Sequence, residues 1–99
     1  MYKKLIYYKD TAFNMEAEFI GKFSYVHLTV EKWSVSIAKK IYRVFKSFLE
    51  ECRKSDIIAV YTISPNSKFC EMYSGTSIGF IEKDGKEYEV FKWDLKLLH

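Results

Sequence analysis

The side chains most able to do chemistry in this 99-residue sequence are a histidine, a pair of glutamates and a stripe of basic residues. His27 is the candidate general base, because an imidazole titrates near neutrality and can take a proton from a nucleophile there. It lies mid-strand among aromatics, and the sequence predicts no carboxylate to orient it, so a packed or surface histidine is the simpler reading. Glu16 and Glu18 alternate with apolar residues and share one face, where they could bind an amine or act as base, or be solvated strand carboxylates. Lys39, Arg43 and Lys46 recur at helical spacing. They could meet phosphates, and Tyr42 beside them suits a nucleic acid, although such a stripe is ordinarily a solvated helix face.

The elements that would hold these residues follow from periodicity. Tyr2 to Lys9 is rich in aromatic and β-branched residues and reads as a strand. From Phe13 the alternation Phe13, Met15, Ala17, Phe19 against Asn14, Glu16, Glu18 predicts a half-buried strand. Gly21-Lys22 suits a type II′ turn into a return strand, Phe23 to Val30, whose two partly apolar faces place it near the middle of the sheet. Ser34 and Ser36 both qualify as N-caps for a helix from Val35 to about Lys54. In it Ala38, Ile41, Phe45, Phe48, Leu49 and Cys52 make one apolar stripe. A buried strand, Asp56 to Ile63, follows and completes a β-α-β crossover.

Ser64-Pro65-Asn66-Ser67 marks a turn into a short helix that ends near Gly79-Phe80. Asp84-Gly85 is the strongest hairpin signal in the chain, between strands Ile78 to Lys83 and Lys86 to Leu95. The expected fold is a single α/β (α+β) domain over residues 1–99, with a mixed sheet of about six strands, one long helix and one short helix.

Composition narrows the classes. An apolar fraction of 48% and an aromatic fraction of 18% supply a packed core, and one proline and four glycines argue against disorder. No run of about 18 apolar residues is present for a membrane span, and the start of the chain lacks the pattern of a signal peptide. A cytoplasmic protein is therefore expected. Cys52 and Cys70 sit in predicted helices without CxxC spacing, so free buried thiols are expected and no metal site. Net charge of +3 falls short of a dedicated nucleic-acid binder. Tyr7, Tyr8, Tyr25, Trp33, Tyr42, Tyr88 and Trp93 exceed what one small core normally hides, and such residues are enriched at protein interfaces. Core packing or a homodimer seam would explain the same residues.

From Tyr25 onward the order of elements resembles the GCN5-related N-acetyltransferase fold. In that family an asparagine follows the splayed strand, a tyrosine comes seven residues later, and a Gly-Phe pair follows; here these read Asn66, Tyr73 and Gly79-Phe80. The resemblance implies that Asn66 helps hold coenzyme A and that Tyr73 protonates the departing thiolate. Two extra residues separate Tyr73 from Gly79-Phe80 relative to the family's spacing. The likeness is degenerate at the helix entry, where the family has a Gln/Arg-x-x-Gly-x-Gly/Ala turn for the pyrophosphate. This chain has Lys32-Trp33-Ser34-Val35-Ser36-Ile37-Ala38, where Ser34 and Ser36 join Asn66 as cofactor-binding candidates, and β-branched Val35 and Ile37 would crowd the phosphates.

The chain also resembles small acetyltransferase-like proteins of tailed phages, of the internal virion protein type, at Lys32-Trp33-Ser34, Ala38-Lys39-Lys40, Val60-Tyr61 and Glu82-Lys83-Asp84-Gly85. The expectation is a non-catalytic, phage-encoded protein that binds a protein partner through Trp33, Lys39, Arg43 and Lys46, as a host-defence inhibitor or a virion component, with no cofactor. The alternatives are an N-acetyltransferase using acetyl-CoA and a nucleic-acid-binding protein.

Overall fold

The computed structural model describes residues 2–64 and 74–95. Asn66, Cys70 and Tyr73 of the expected short helix lie outside the described residues. Six strands and one helix run in the order β1 (Tyr2–Lys9), β2 (Phe13–Ile20), β3 (Phe23–Val30), α1 (Val35–Lys54), β4 (Ala59–Ser64), β5 (Thr76–Lys83) and β6 (Lys86–Asp94). They form one mixed sheet in the order β1-β2-β3-β4-β6-β5. β3 and β4 pair in parallel, and every other neighbouring pair is antiparallel. A parallel pair requires a crossover, and α1 provides it.

Turn chemistry sets the registers. Gly21 takes a positive φ of +61°, so Ile20 pairs with Phe23 and each residue back along β2 meets the next one along β3. Asp84 and Gly85 both have positive φ, which is the type I′ requirement, and they set Lys83 opposite Lys86. The apolar stripe of α1 closes one face of the sheet. Ile41, Phe45, Phe48 and Cys52 are its buried residues, spaced four, three and four apart. They pack with Phe13, Met15 and Ala17 of β2, Val26 of β3, Val60 of β4, and Phe91, Trp93 and Leu95 at the C-terminal end.

Two expectations about local structure are corrected. The strand after α1 starts at Ala59, not at Asp56. Asp56 has φ +66°, the reversal that brings the chain off the helix end. Ile58 already bonds both neighbours, donating to the Lys22 carbonyl and accepting from Leu95 N–H. Second, the short helix expected to end near Gly79-Phe80 does not reach that pair, which lies in β5. Of the aromatics that core packing or an interface could explain, Trp93 is buried in the core and half-buried Tyr7 and Tyr8 pack against it. A register shift between Ile6 and Tyr8 lets Tyr7 and Tyr8 both pack against it, with the Tyr7 ring 5.0 Å from Phe48. No helix among the described residues is long and apolar enough to cross a membrane.

Candidate active site

Because Ser24 and Val26 are buried on the α1 side, strand alternation turns Phe23, Tyr25, His27 and Thr29 to the opposite face of the sheet. The hairpin register sets Glu16 opposite His27 and Glu18 opposite Tyr25. His27 therefore does have a carboxylate partner, on the diagonal: its Nε2 lies 3.4 Å from Glu18 Oε1. Nε2 is shielded from solvent and makes no aligned hydrogen bond, while the imidazole as a whole keeps 38% exposure. Tyr25 packs along the ring, centroid to centroid 4.9 Å. Burial, and secondarily the Glu18 charge, push the Tyr25 phenol above its ordinary pKa, so it stays protonated. Lys4 of β1 places its ammonium 3.8 Å from Glu16 and 4.0 Å from Glu18.

His27 also marks the point where the sheet opens. β3 and β4 pair from Phe23 with Ala59 to Val26 with Thr62, and there the pairing stops. Beyond it, among the described residues, β3 continues only against β2, and Ile63 and Ser64 continue only against β6. Thr62 donates its hydroxyl to the Val26 carbonyl at 2.8 Å at this last rung. Parted parallel strands beside a strand-to-helix junction form the kind of crevice in which α/β sheets take ligands.

Past the parting point β3 runs on to Val30, and the chain then enters α1 at Val35. Ser34 is the N-cap, its hydroxyl accepting from Ile37 N–H at 3.2 Å, and the Ser34 and Ser36 hydroxyls are 3.2 Å apart. The first turn carries no acidic residue, although Glu31 lies just before it. Two hydroxyls and the positive end of the helix dipole are the groups there that could meet a phosphate, although the Ser34 hydroxyl already serves Ile37 N–H. Exposed Trp33 and Val35 replace the open turn that glycines would provide, so the fit is at the hydroxyl tips.

Lys39, Arg43 and Lys46 are exposed on the outer side of α1, opposite its apolar stripe, and are not brought near His27. Among the described residues no group of histidine, cysteine and carboxylate side chains is arranged to hold a metal. Counting back from the Gly21-Lys22 turn sets Glu16 opposite His27 and Glu18 opposite Tyr25, whereas the diagonal contact of Glu18 with His27 appears only in the folded sheet. Lys4 could not be placed by such counting, since β1 has no tight turn to β2 and carries the register shift.

No family model matches the sequence, and comparison with curated proteins finds no match. Solved structures do resemble it. A presumed acetyltransferase from Agrobacterium tumefaciens superposes with a TM-score of 0.70 at 19% identity, over 94% of this chain and 75% of that one. The N-terminal domain of ribosomal-protein-alanine acetyltransferase from Clostridium acetobutylicum gives 0.62 at 16% identity, over 93% of this chain and 97% of that one. Ribosomal-protein-S5-alanine acetyltransferase from Vibrio fischeri gives 0.62 at 6% identity, over 84% and 54%. At these identities the likeness concerns the fold: the chain has a GCN5-related N-acetyltransferase-like α/β fold.

Proposed function

We propose that the protein is an N-acyltransferase that moves an acyl group from an acyl-coenzyme A thioester to a primary amine. The observation that carries this reading is the His27–Glu18 pair at the residue where β3 and β4 part. With Nε2 3.4 Å from Glu18, the negative carboxylate favours the tautomer that keeps the proton on that nitrogen, and the lone pair falls on Nδ1. Nδ1 is then the atom that takes the proton from the incoming ammonium and frees its lone pair for attack. Glu16 and Glu18 attract the amine, as their contacts with the Lys4 ammonium illustrate. The Tyr25 ring packs along the imidazole and limits its rotation. Bound acyl-coenzyme A would supply the activated carbonyl, with its phosphates at Ser34 and Ser36. Asn66 and Tyr73 take their proposed roles, coenzyme binding and protonation of the thiolate, from the family resemblance, and both lie outside the described residues.

The test is thiol release from acetyl-CoA with a panel of primary amines, alongside calorimetric titration of acetyl-CoA itself. His27→Gln is expected to lower kcat/KM by about 10²–10⁴-fold, the usual contribution of a general base, with an unchanged circular dichroism spectrum. Absence of both binding heat and thiol release at millimolar acetyl-CoA would end this reading. It would favour the second one, a non-catalytic, phage-encoded protein that binds a protein partner, which draws on the exposed Trp33 and Val35 at the entry of α1.

A further inference from the structure

β3 and β4 leave one another abruptly, and the chemistry of the last rung accounts for where. Thr62 is 8% exposed, so its hydroxyl is removed from water and needs a partner inside the protein. It finds the Val26 carbonyl at 2.8 Å, across the pair with which the parallel ladder ends. On the α1 side of this rung lies a cavity of about 20 Å³, lined by Met15, Val26, Leu28, Phe45, Thr62 and Trp93. The Phe45 and Trp93 rings meet edge to face with centroids 4.7 Å apart. The strands thus separate beside a small gap and bulky rings. At the last backbone pair the Thr62 hydroxyl adds a buried side-chain hydrogen bond that ties the two strands.

His27 is the next residue along β3. We infer that Thr62 is a positioning residue: its hydroxyl pins the Val26 carbonyl, so that the strands part at His27 and the imidazole is held beside Glu18. The importance of this placement for catalysis rests on the acyl-transfer reading, but the placement itself is read without any thioester. Among the described residues, the groups facing His27 are Glu16 and Glu18 from β2, Lys4 from β1 through those carboxylates, and Tyr25 on β3. None of them contacts Thr62, whose side chain lies on the buried face, so an effect of Thr62 on the imidazole must pass through the Val26–His27 backbone.

Thr62→Val keeps the shape and removes the donor, and Thr62→Ser keeps the donor. The experiment records the imidazole nitrogen NMR signals of His27 and the hydrogen exchange of the His27, Leu28 and Ile63 amides, with the β5–β6 hairpin amides as an internal reference. Thr62→Val is expected to move the His27 signals and to speed exchange at these amides by about tenfold or more relative to the hairpin, as local opening does. Thr62→Ser is expected to restore both. Wild-type signals and exchange in Thr62→Val would overturn the inference, and so would a serine variant displaced as far as the valine one. Should the valine variant fail to fold, Thr62→Ala is compared with Thr62→Ser on the same two readouts. Loss of acyl transfer in the separate assay, with these signals as expected, would refute the reaction and leave the positioning role standing.

Discussion

Asp10 gathers four donors on one carboxylate. Oδ1 accepts from the Ala12 and Phe13 amides at 2.7 and 3.0 Å, and Oδ2 from the Tyr8 hydroxyl and the Lys40 ammonium at 2.8 and 2.7 Å. It thereby ties the β1–β2 turn to the first half of α1. Lys40, then the Phe13 amide, Tyr8 and the Ala12 amide hold its carboxyl well below the ordinary 3.8. A depressed carboxyl stabilises the fold above its unfolded value, and that stability is lost as pH falls from about 4 through the folded value. Asp10→Asn is expected to lower stability at pH 7 and to flatten the acid limb, as urea unfolding from pH 7 down to pH 2 would reveal. Cys52 illustrates the opposite sign. Burial, and then the Glu51 charge, push its thiol up to about 12, so the reactive thiolate is scarce at neutral pH. In a Cys70→Ser background, labelling of Cys52 by a disulfide reagent at pH 8 is expected to be at least about tenfold slower in the native protein than in urea. At this scale the sequence was informative about residue type, but nothing local marks Asp10 as the centre of a network. Its network joins positions 30 apart in the chain.

At the scale of elements, the helix bounds Val35–Lys54 and both hairpin turns were legible, because caps and glycine-bearing turns are local chemistry. Two serines competed for the cap, and the structure gives the role to Ser34, whose hydroxyl serves Ile37 N–H. Ser34→Ala is expected to cost about 1 kcal/mol, the usual value of an N-cap, and Ser36→Ala markedly less; thermal or urea denaturation of the two variants decides it. The start of β4 was misjudged because apolar Ile57 and Ile58 look like strand, whereas Asp56 in the left-handed region is needed to leave the helix end. The parting of β3 from β4 carries no local signature, since Val26 and Thr62 are both ordinary strand residues.

Across the whole molecule, the two faces of the sheet divide the labour. One is sealed by α1, with its basic stripe turned outward, and the other carries Glu16, Glu18, Tyr25 and His27. The sealed side also sets the alkaline limit of stability. Burial, then the Glu51 hydrogen bond, raise Tyr7 from 10.0 to about 12, and Cys52 rises from 9.0 to about 12. Lys40 is raised from 10.5, chiefly by its hydrogen bond to Asp10. Each raised group contributes stability that is complete below its unfolded value and is lost as pH rises through the folded one, so Cys52 acts from about pH 9 and Tyr7 and Lys40 join it above about pH 10. Stability measured by urea unfolding is expected to fall from about pH 9 toward pH 12, and Tyr7→Phe to shallow that slope.

Sequence alone determined the strand and helix periods, the caps and turns, the β-α-β crossover and the acetyltransferase-like order of elements, since each depends on residues close together in the chain. It could name His27, Glu16 and Glu18 but treated them as separate residues. Only the tertiary structure decided that His27 meets Glu18, that both lie where two parallel strands part, and that Lys39, Arg43 and Lys46 stand apart from them on the far side of α1. Those facts depend on strand register and on the hydrogen bond between Thr62 and Val26, contacts between positions far apart in the chain that no local pattern encodes.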